Sequence, residues 1–336
     1  MTIPFFKVGG VMVVSSESTG PNARVIEVMN FLAAHPTESF SLGEIASRLN
    51  LSNGSAHRVL TALSDARYLT RHPKHKTYSL GLVMVAIGQA ALTQHRDVEL
   101  VRQEAGAVAA QLKVQCLAAT IASSEMLVVA CEGTPSTFAP AIRVGERWPF
   151  VPPLGMSFIA WADEDTQKDY LARAPAALND QAHERLAVSL KLFRDRGYGM
   201  AGDGPVIRAL KRFTSRPARF QSEEAYWAGL TQLVSEISEA EVQLVEPTEA
   251  VGQGVSYITA PVFSPKGEVA YEMSISGFAP GLSRHDVERA IEHLRGAAAR
   301  VTLQINGSAP WERASGSVRP AEPSRRVRKP LVKTQA

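Results

Sequence analysis

Residues 41–80 read SLGEIASRLNLSNGSAHRVLTALSDARYLTRHPKHKTYSL, and this stretch decides the N-terminal fold of the 336-residue chain. Ser41 and Glu44 stand three positions apart, the spacing of a capping box, in which each side chain satisfies a backbone N–H of the other. Leu42, Ile45, Ala46 and Leu49 follow at the spacing of one helical face. Asn50-Leu51-Ser52-Asn53 interrupts that pattern, and Ser52 or Asn53 is suited to cap a second helix. That helix turns Val59, Leu60 and Leu63 inward and points Ser55, His57, Arg58 and Thr61 elsewhere. The β-prone runs 68–71 and 77–80 then flank His72-Pro73-Lys74-His75-Lys76, a polar turn with two lysines. Two helices around a tight turn, followed by a basic hairpin, spell a winged helix-turn-helix.

The chemistry of such a unit is contact with double-stranded DNA. A recognition helix lies with its N-terminal end against base edges and phosphates, so short polar residues belong there. Ser52, Asn53 and Ser55 meet that need, and the free N–H groups of the helix start favour a phosphate. Arg58 can bond a guanine edge bidentately or hold a phosphate. His57 and Thr61 extend the same surface, with Ser41 at the start of the preceding helix. Arg71, Lys74, His75 and Lys76 equip the wing for the phosphate backbone, a contact that positions the protein without reading sequence.

Length and composition frame this unit. A chain of 336 residues predicts two domains, and 45% hydrophobic residues suffice for packed cores. The net charge of +3 implies no nucleic-acid partner by itself. Its distribution says more: residues 306–336 hold seven basic side chains against two acidic ones. Prolines and a lack of apolar periodicity mark that stretch as a basic disordered tail, either adding salt-sensitive DNA affinity or simply solubilising. Two cysteines, Cys116 and Cys131, without metal-ligand spacing, are consistent with a reducing cytoplasm. The N-terminal extension, residues 1–21, contains a VGGVMVV run too short for a membrane span, so an extra strand or a loose tail is expected there.

Periodicity organises the rest. Val25, Val28, Met29 and Leu32 mark a first helix over 22–35, which opens a DNA-binding domain at 22–81. Residues 82–96 form a linker helix. Beyond it, Val101, Ala105, Val108 and Leu112 begin a second domain at 97–305. Strands are expected at 114–122 and 127–132 around a turn at 123–126, and again at 254–263 and 268–277. Between them lie a Gly- and Pro-rich loop at 143–157 leading into an apolar helix, a helix at 180–196 and an apparent insertion at about 199–245. A helix at 283–303 ends the domain. Helices flanking an antiparallel sheet give an α+β sensor-like domain.

LSNGSAHRVL, YLTR and YSLG in the first domain, with RVGERWP, RGY, GVSYITAPVF and SISG in the second, resemble the motifs of IclR-family transcriptional regulators. The resemblance spans about 22–303. It implies a winged helix-turn-helix joined by a linker helix to a GAF-like α/β effector-binding domain. It further implies a homodimer or homotetramer on a pseudo-palindromic operator, acting as repressor or activator, and a small-molecule effector, by family habit a small organic acid. The family's effector positions fall on Leu154, Gly155, Met156, Tyr257, Ser274 and Ser276. The residue chemistry agrees: Gly155 permits close approach of backbone N–H groups, and Ser274 and Ser276 share one face of a strand.

Four departures stand out. Gly54 occupies a place where the family usually has a hydroxyl residue. The loop after Pro149 is one residue shorter and reads VPP, and Tyr257 replaces what is often cysteine. Glu272, unusual on the last strand, either faces solvent or repels an anionic ligand. The insertion reads as a lid, a subunit contact or a surface elaboration.

Catalytic readings find little purchase. No GxSxG elbow, HExxH pair or P-loop is present, and GDGPVI and GQGVSY lack the third glycine of a dinucleotide loop. His285, Glu288 and His293 share a late helix at spacing better suited to a solvated face than to a metal. No catalytic residue, metal or cofactor is therefore expected. The competing expectations are a constitutive DNA-binding protein with a non-binding sensor fold, or an enzyme acting on a small acid.

Overall fold

The computed structural model describes residues 7–8, 11–12, 21–122, 125–134, 142–173, 180–204, 209, 229, 232–233 and 254–311. In the N-terminal extension, strands β1 (Lys7–Val8) and β2 (Val11–Met12) pair antiparallel. The DNA-binding unit begins with α1 (Pro21–Ala34), followed by β3 (Phe40–Ser41), α2 (Leu42–Arg48) and α3 (Asn53–Asp65). The wing is β4 (Leu69–Arg71) and β5 (Thr77–Leu80), and β3 adds to it in the order β3-β5-β4. Ser41 therefore has two duties, ending β3 and capping α2. Its hydroxyl accepts from the Glu44 N–H at 3.3 Å while its own N–H donates to the Glu44 carboxylate at 2.7 Å. Asn50 turns the chain with φ near 50°, a left-handed conformation that asparagine tolerates well. Ser52, not Asn53, caps α3, accepting from the Ser55 N–H at 3.2 Å.

Val28, Leu32, Phe40, Ile45, Leu60, Leu69 and Tyr78 form the core of this unit. Each large apolar side chain fully buried there contributes roughly 1.5–3 kcal/mol. From the wing the chain enters α4 (Val83–Gln94), the expected linker helix, in which no side chain is buried.

The second unit is built on a six-stranded antiparallel sheet. Its strands are β6 (Gln115–Ala122), β7 (Glu125–Glu132), β8 (Arg147–Pro149), β9 (Gly199–Gly202), β10 (Val255–Phe263) and β11 (Val269–Ser276). They run in the order β8-β7-β6-β11-β10-β9. Alternation along the strands gives the sheet two apolar faces. Cys116, Ala118, Ile258, Ala260, Met273 and Ile275 face α5 (Arg96–Leu112) and the last long helix, α9 (Arg284–Gln304). The opposite face carries α6 (Met156–Ile159), α7 (Glu164–Leu171) and α8 (Asp180–Arg196), whose core includes Phe150, Phe158, Tyr170, Leu190 and Phe193. This is the α+β architecture expected, with a helix-turn-helix unit ahead of it. Among the described residues no helix is long and apolar enough to cross a membrane.

Several boundaries differ from the sequence reading. Glu125 and Met126 are strand residues paired with Ala122 and Ile121, not part of a turn. The apolar helix after the Pro-rich loop is only four residues long. Strand β8 and helix α7 were not anticipated. Residues 199–202 are the edge strand of the sheet, paired with β10, so the insertion expected from about 199 starts no earlier than after Gly202. The rest of that insertion lies outside the described residues, apart from 203–204, 209, 229 and 232–233. The start of the basic tail also needs moving. Gly307 and Ser308 donate to the backbone of Thr302 and Ser264, Ala309 is buried, and Trp311 packs edge-on to Phe263. The remaining tail, 312–336, lies outside the described residues.

Candidate nucleic-acid interface and candidate ligand pocket

Helix α3 divides its residues cleanly. Ala56, Val59 and Leu60 are buried, whereas Asn53, Gly54, His57, Arg58 and Thr61 are exposed along one side. Arg71, Lys74, His75 and Lys76 are exposed on the wing. The wing turn is tight: the Lys76 N–H donates to the His72 carbonyl at 2.9 Å, and the His75 N–H donates to His72 Nδ1 at 3.1 Å. Arg71 lies 5.6 Å from the centre of the Tyr78 ring, which holds the first basic group of the wing against the core.

One predicted contact residue is misplaced. Ser55 is buried, and its Oγ accepts a 2.9 Å hydrogen bond from Arg24 Nη1 on α1. Position 55 falls on the inner side of α3, beside Ala56, so it supports the helix instead of facing a groove. Ser41 and Ser52 sit at helix starts and their hydroxyls act as caps. Arg24 was missed, because nothing in its local sequence shows that α1 crosses the start of α3.

The six expected effector positions lie where α6 packs on β10 and β11. Strand register places Tyr257 opposite Ser276, Thr259 opposite Ser274, and Pro261 opposite Glu272. Tyr257, Thr259, Glu272, Ser274 and Ser276 therefore share one face of the sheet, the side opposite Ile258, Met273 and Ile275. Gly155, at the start of α6, has φ near 80°, and a Cβ there would stand 2.7 Å from the Phe150 ring and 2.9 Å from Met126 Sδ. The loop can approach the sheet this closely only with glycine. The Leu154 carbonyl accepts from the Tyr170 hydroxyl at 2.7 Å, and Met156 is buried in the core, where it anchors α6.

The centre of this arrangement is a carboxyl group. The Ser157 hydroxyl donates to Glu272 Oε2 in a short hydrogen bond, and the Ser274 hydroxyl donates to Oε1 at 3.2 Å. Thr259 approaches the same carboxyl. Burial pushes Glu272 above the usual carboxylate range, against the downward pull of these hydroxyls. Tyr170 and Tyr257 are pushed up as well, first by burial and then by the negative charge of Glu272. Glu272 and Tyr257 are half-buried. The Ser276 hydroxyl is buried without a hydrogen-bond partner among the described residues. A buried hydroxyl in that state marks a place for a water or a ligand.

Sequence reasoning marks Glu272 only as a departure and leaves open whether it faces solvent; it points inward, toward Ser157. Ser157 and Thr259 were missed as well. The period of two along β10 already puts Thr259 on the face of Tyr257, so that signal was present. Both thiols are raised by burial, Cys131 to about 11 and Cys116 further, so neither is a ready nucleophile. Among the described residues no group of three or more His, Cys, Asp and Glu side chains is placed to hold a metal ion.

The sequence profile of the IclR helix-turn-helix domain matches residues 23–73. No curated protein matches the chain. Solved structures do. An IclR transcriptional regulator from Alicyclobacillus acidocaldarius is 20% identical, with a TM-score of 0.62 over 85% of this chain and 98% of its own. An IclR homologue from Microbacterium hydrocarbonoxydans, solved in complex with 4-hydroxybenzoate, is 16% identical, with a TM-score of 0.59 over 85% and 99%. The IclR of Thermotoga maritima is 15% identical, with a TM-score of 0.54 over 85% and 98%. Residues 23–73 match the IclR helix-turn-helix domain, and the chain as a whole shares the fold of solved IclR-type transcriptional regulators.

Proposed function

We propose that this chain is a cytoplasmic transcriptional regulator that binds a pseudo-palindromic operator as a homodimer or homotetramer, its affinity set by a small molecule held between α6 and strands β10 and β11. The observation that carries the DNA-binding half is the division of α3, whose inner face is core and whose outer face offers Asn53, His57, Arg58 and Thr61 beside a basic wing. Assembly is supported by α4: Leu82 just before it and Val85, Ile87 and Leu92 within it are large apolar side chains left exposed. A linker helix of this composition gains by pairing with its copy, and two copies present two recognition helices to successive major grooves. The effector half is supported by the unpartnered Ser276 hydroxyl on the face of Tyr257 and by the 4-hydroxybenzoate bound to the Microbacterium relative. That relative favours a small organic acid, whereas Glu272 opposes a carboxylate beside it.

The test is operator binding by the purified chain to promoter fragments of its own and adjacent genes, read by fluorescence anisotropy over a range of salt. Arg58→Ala is expected to weaken operator binding by about 1–3 kcal/mol and to relax sequence preference at one base pair. Unchanged binding by that variant, or equal affinity of the wild type for operator and random DNA, would refute the reading.

A further inference from the structure

The candidate effector site, where α6 packs on β10 and β11, holds an acidic group with no countercharge among the described residues. Glu272 lies inward on β11, between Ser157 at the start of α6 and Ser274 two residues along its own strand. Both carboxyl oxygens lie against hydroxyls, yet burial raises the group above the ordinary carboxylate range, so a cation bound beside it is what would hold it ionised. Among the described residues it forms no ion pair, and the groups around it are hydroxyls and phenols: Thr259, Tyr257 and Tyr170. A cation in contact with the nearby aromatic wall is Arg173, which lies 5.6 Å from the centre of the Phe150 ring and donates to the Phe150 carbonyl, and whose charge couples to Tyr170 and Asp169. It is not among the groups acting on Glu272.

A buried carboxylate without a cation is costly, and that cost falls when a ligand supplies the cation. Hydroxyl and phenol oxygens can accept the further N–H bonds of an ammonium group, and the faces of tyrosine and phenylalanine rings attract it. A ligand carboxylate placed beside Glu272 would meet a like charge instead. We propose that this pocket takes a small cationic effector, a primary amine with an apolar body, whose ammonium group pairs with Glu272 while Met156 and the aromatic side chains enclose the rest. The inference rests on the effector-pocket reading given above and narrows its ligand class.

The experiment uses the full chain and matched probes that share a skeleton and differ in charge: 2-phenylethylamine against phenylacetate, and n-butylamine against butyrate, at neutral pH. Thermal unfolding and titration calorimetry read binding, because a ligand specific for the folded state raises its melting temperature. The expected result is saturable stabilisation by at least one amine and none by its carboxylate counterpart. Glu272→Gln, which keeps the size and removes the charge, is expected to weaken that amine at least tenfold. Stabilisation by the carboxylates in place of the amines, no stabilisation by either amine, or equal amine affinity in Glu272→Gln would each overturn the proposal. The wild-type comparison stands by itself even where the variant fails to fold. Carboxylate binding that is lost in Ser274→Ala would overturn the cation while leaving the pocket reading intact, and operator binding of the same protein tests the regulator reading separately.

Discussion

Arg24 Nη1 on the first helix donates a 2.9 Å hydrogen bond to Ser55 Oγ on the recognition helix, across 31 residues of sequence. The bond joins a charged donor to a buried hydroxyl and fixes the start of α3 relative to α1. Ser55→Ala should lower stability by about 1.5–3 kcal/mol, as expected for loss of a hydrogen bond to a charged group. Denaturant unfolding measures that loss. At a temperature where both proteins are folded, the variant's base preference should be unchanged; altered preference would show that Ser55 reads DNA after all.

Gly54 sits on the outer side of α3 in open space, with no atom within 4 Å of where a Cβ would stand and no positive φ. Gly54→Ala should therefore stabilise the chain by about 0.5 kcal/mol, mainly by restricting the unfolded state. A lower unfolding midpoint would mean that the helix start needs glycine for a reason other than shape.

Gly155 presents the opposite case. Its positive φ and the 2.7 Å approach of the Phe150 ring leave no room for a methyl group. Gly155→Ala should cost about 1–3 kcal/mol and push α6 away from β11. Loss of any ligand-induced rise in melting temperature should accompany it, while operator binding without ligand persists.

Glu146 offers a pH test. Burial raises its carboxyl from an ordinary value of 4.5 to about 7, although the Arg143 backbone and the Trp148 side chain pull it down. The folded state thus holds a proton that the unfolded state releases, so this residue makes stability fall as pH rises from about 4.5 to 7 and leaves it level above. The difference in unfolding free energy between wild type and Glu146→Gln should follow that trend. An opposite slope would show that the carboxylate is stabilised in the fold.

The DNA-binding unit was legible because its signals are local. The Ser41–Glu44 box, the break at Asn50 and the alternation of the wing each lie within a few residues of what they control. The fold of the second unit was legible wherever strands carried β-branched or alternating residues, as in β10 and β11. Strand β9, Gly-Met-Ala-Gly, carries no such pattern. It holds its place because Phe193 packs over Gly199, where a Cβ would lie only 2.0 Å from the ring, and that contact is invisible to periodicity. The pocket followed the same rule. The shared face of Ser274 and Ser276 could be read from spacing, but the bond from Ser157 to Glu272 links positions 115 residues apart.

Helix α4 ends and α5 begins at one residue, His95, whose φ of −105° and ψ of 66° break the helical path. On one side of that break lies a rod with no buried side chain, and on the other a helix packed against the sheet that carries the pocket on its far face. Under the proposed function, with two copies paired through α4, a displacement of α5 would reach the rod only through this break, and the angle at His95 would then set the spacing between recognition helices.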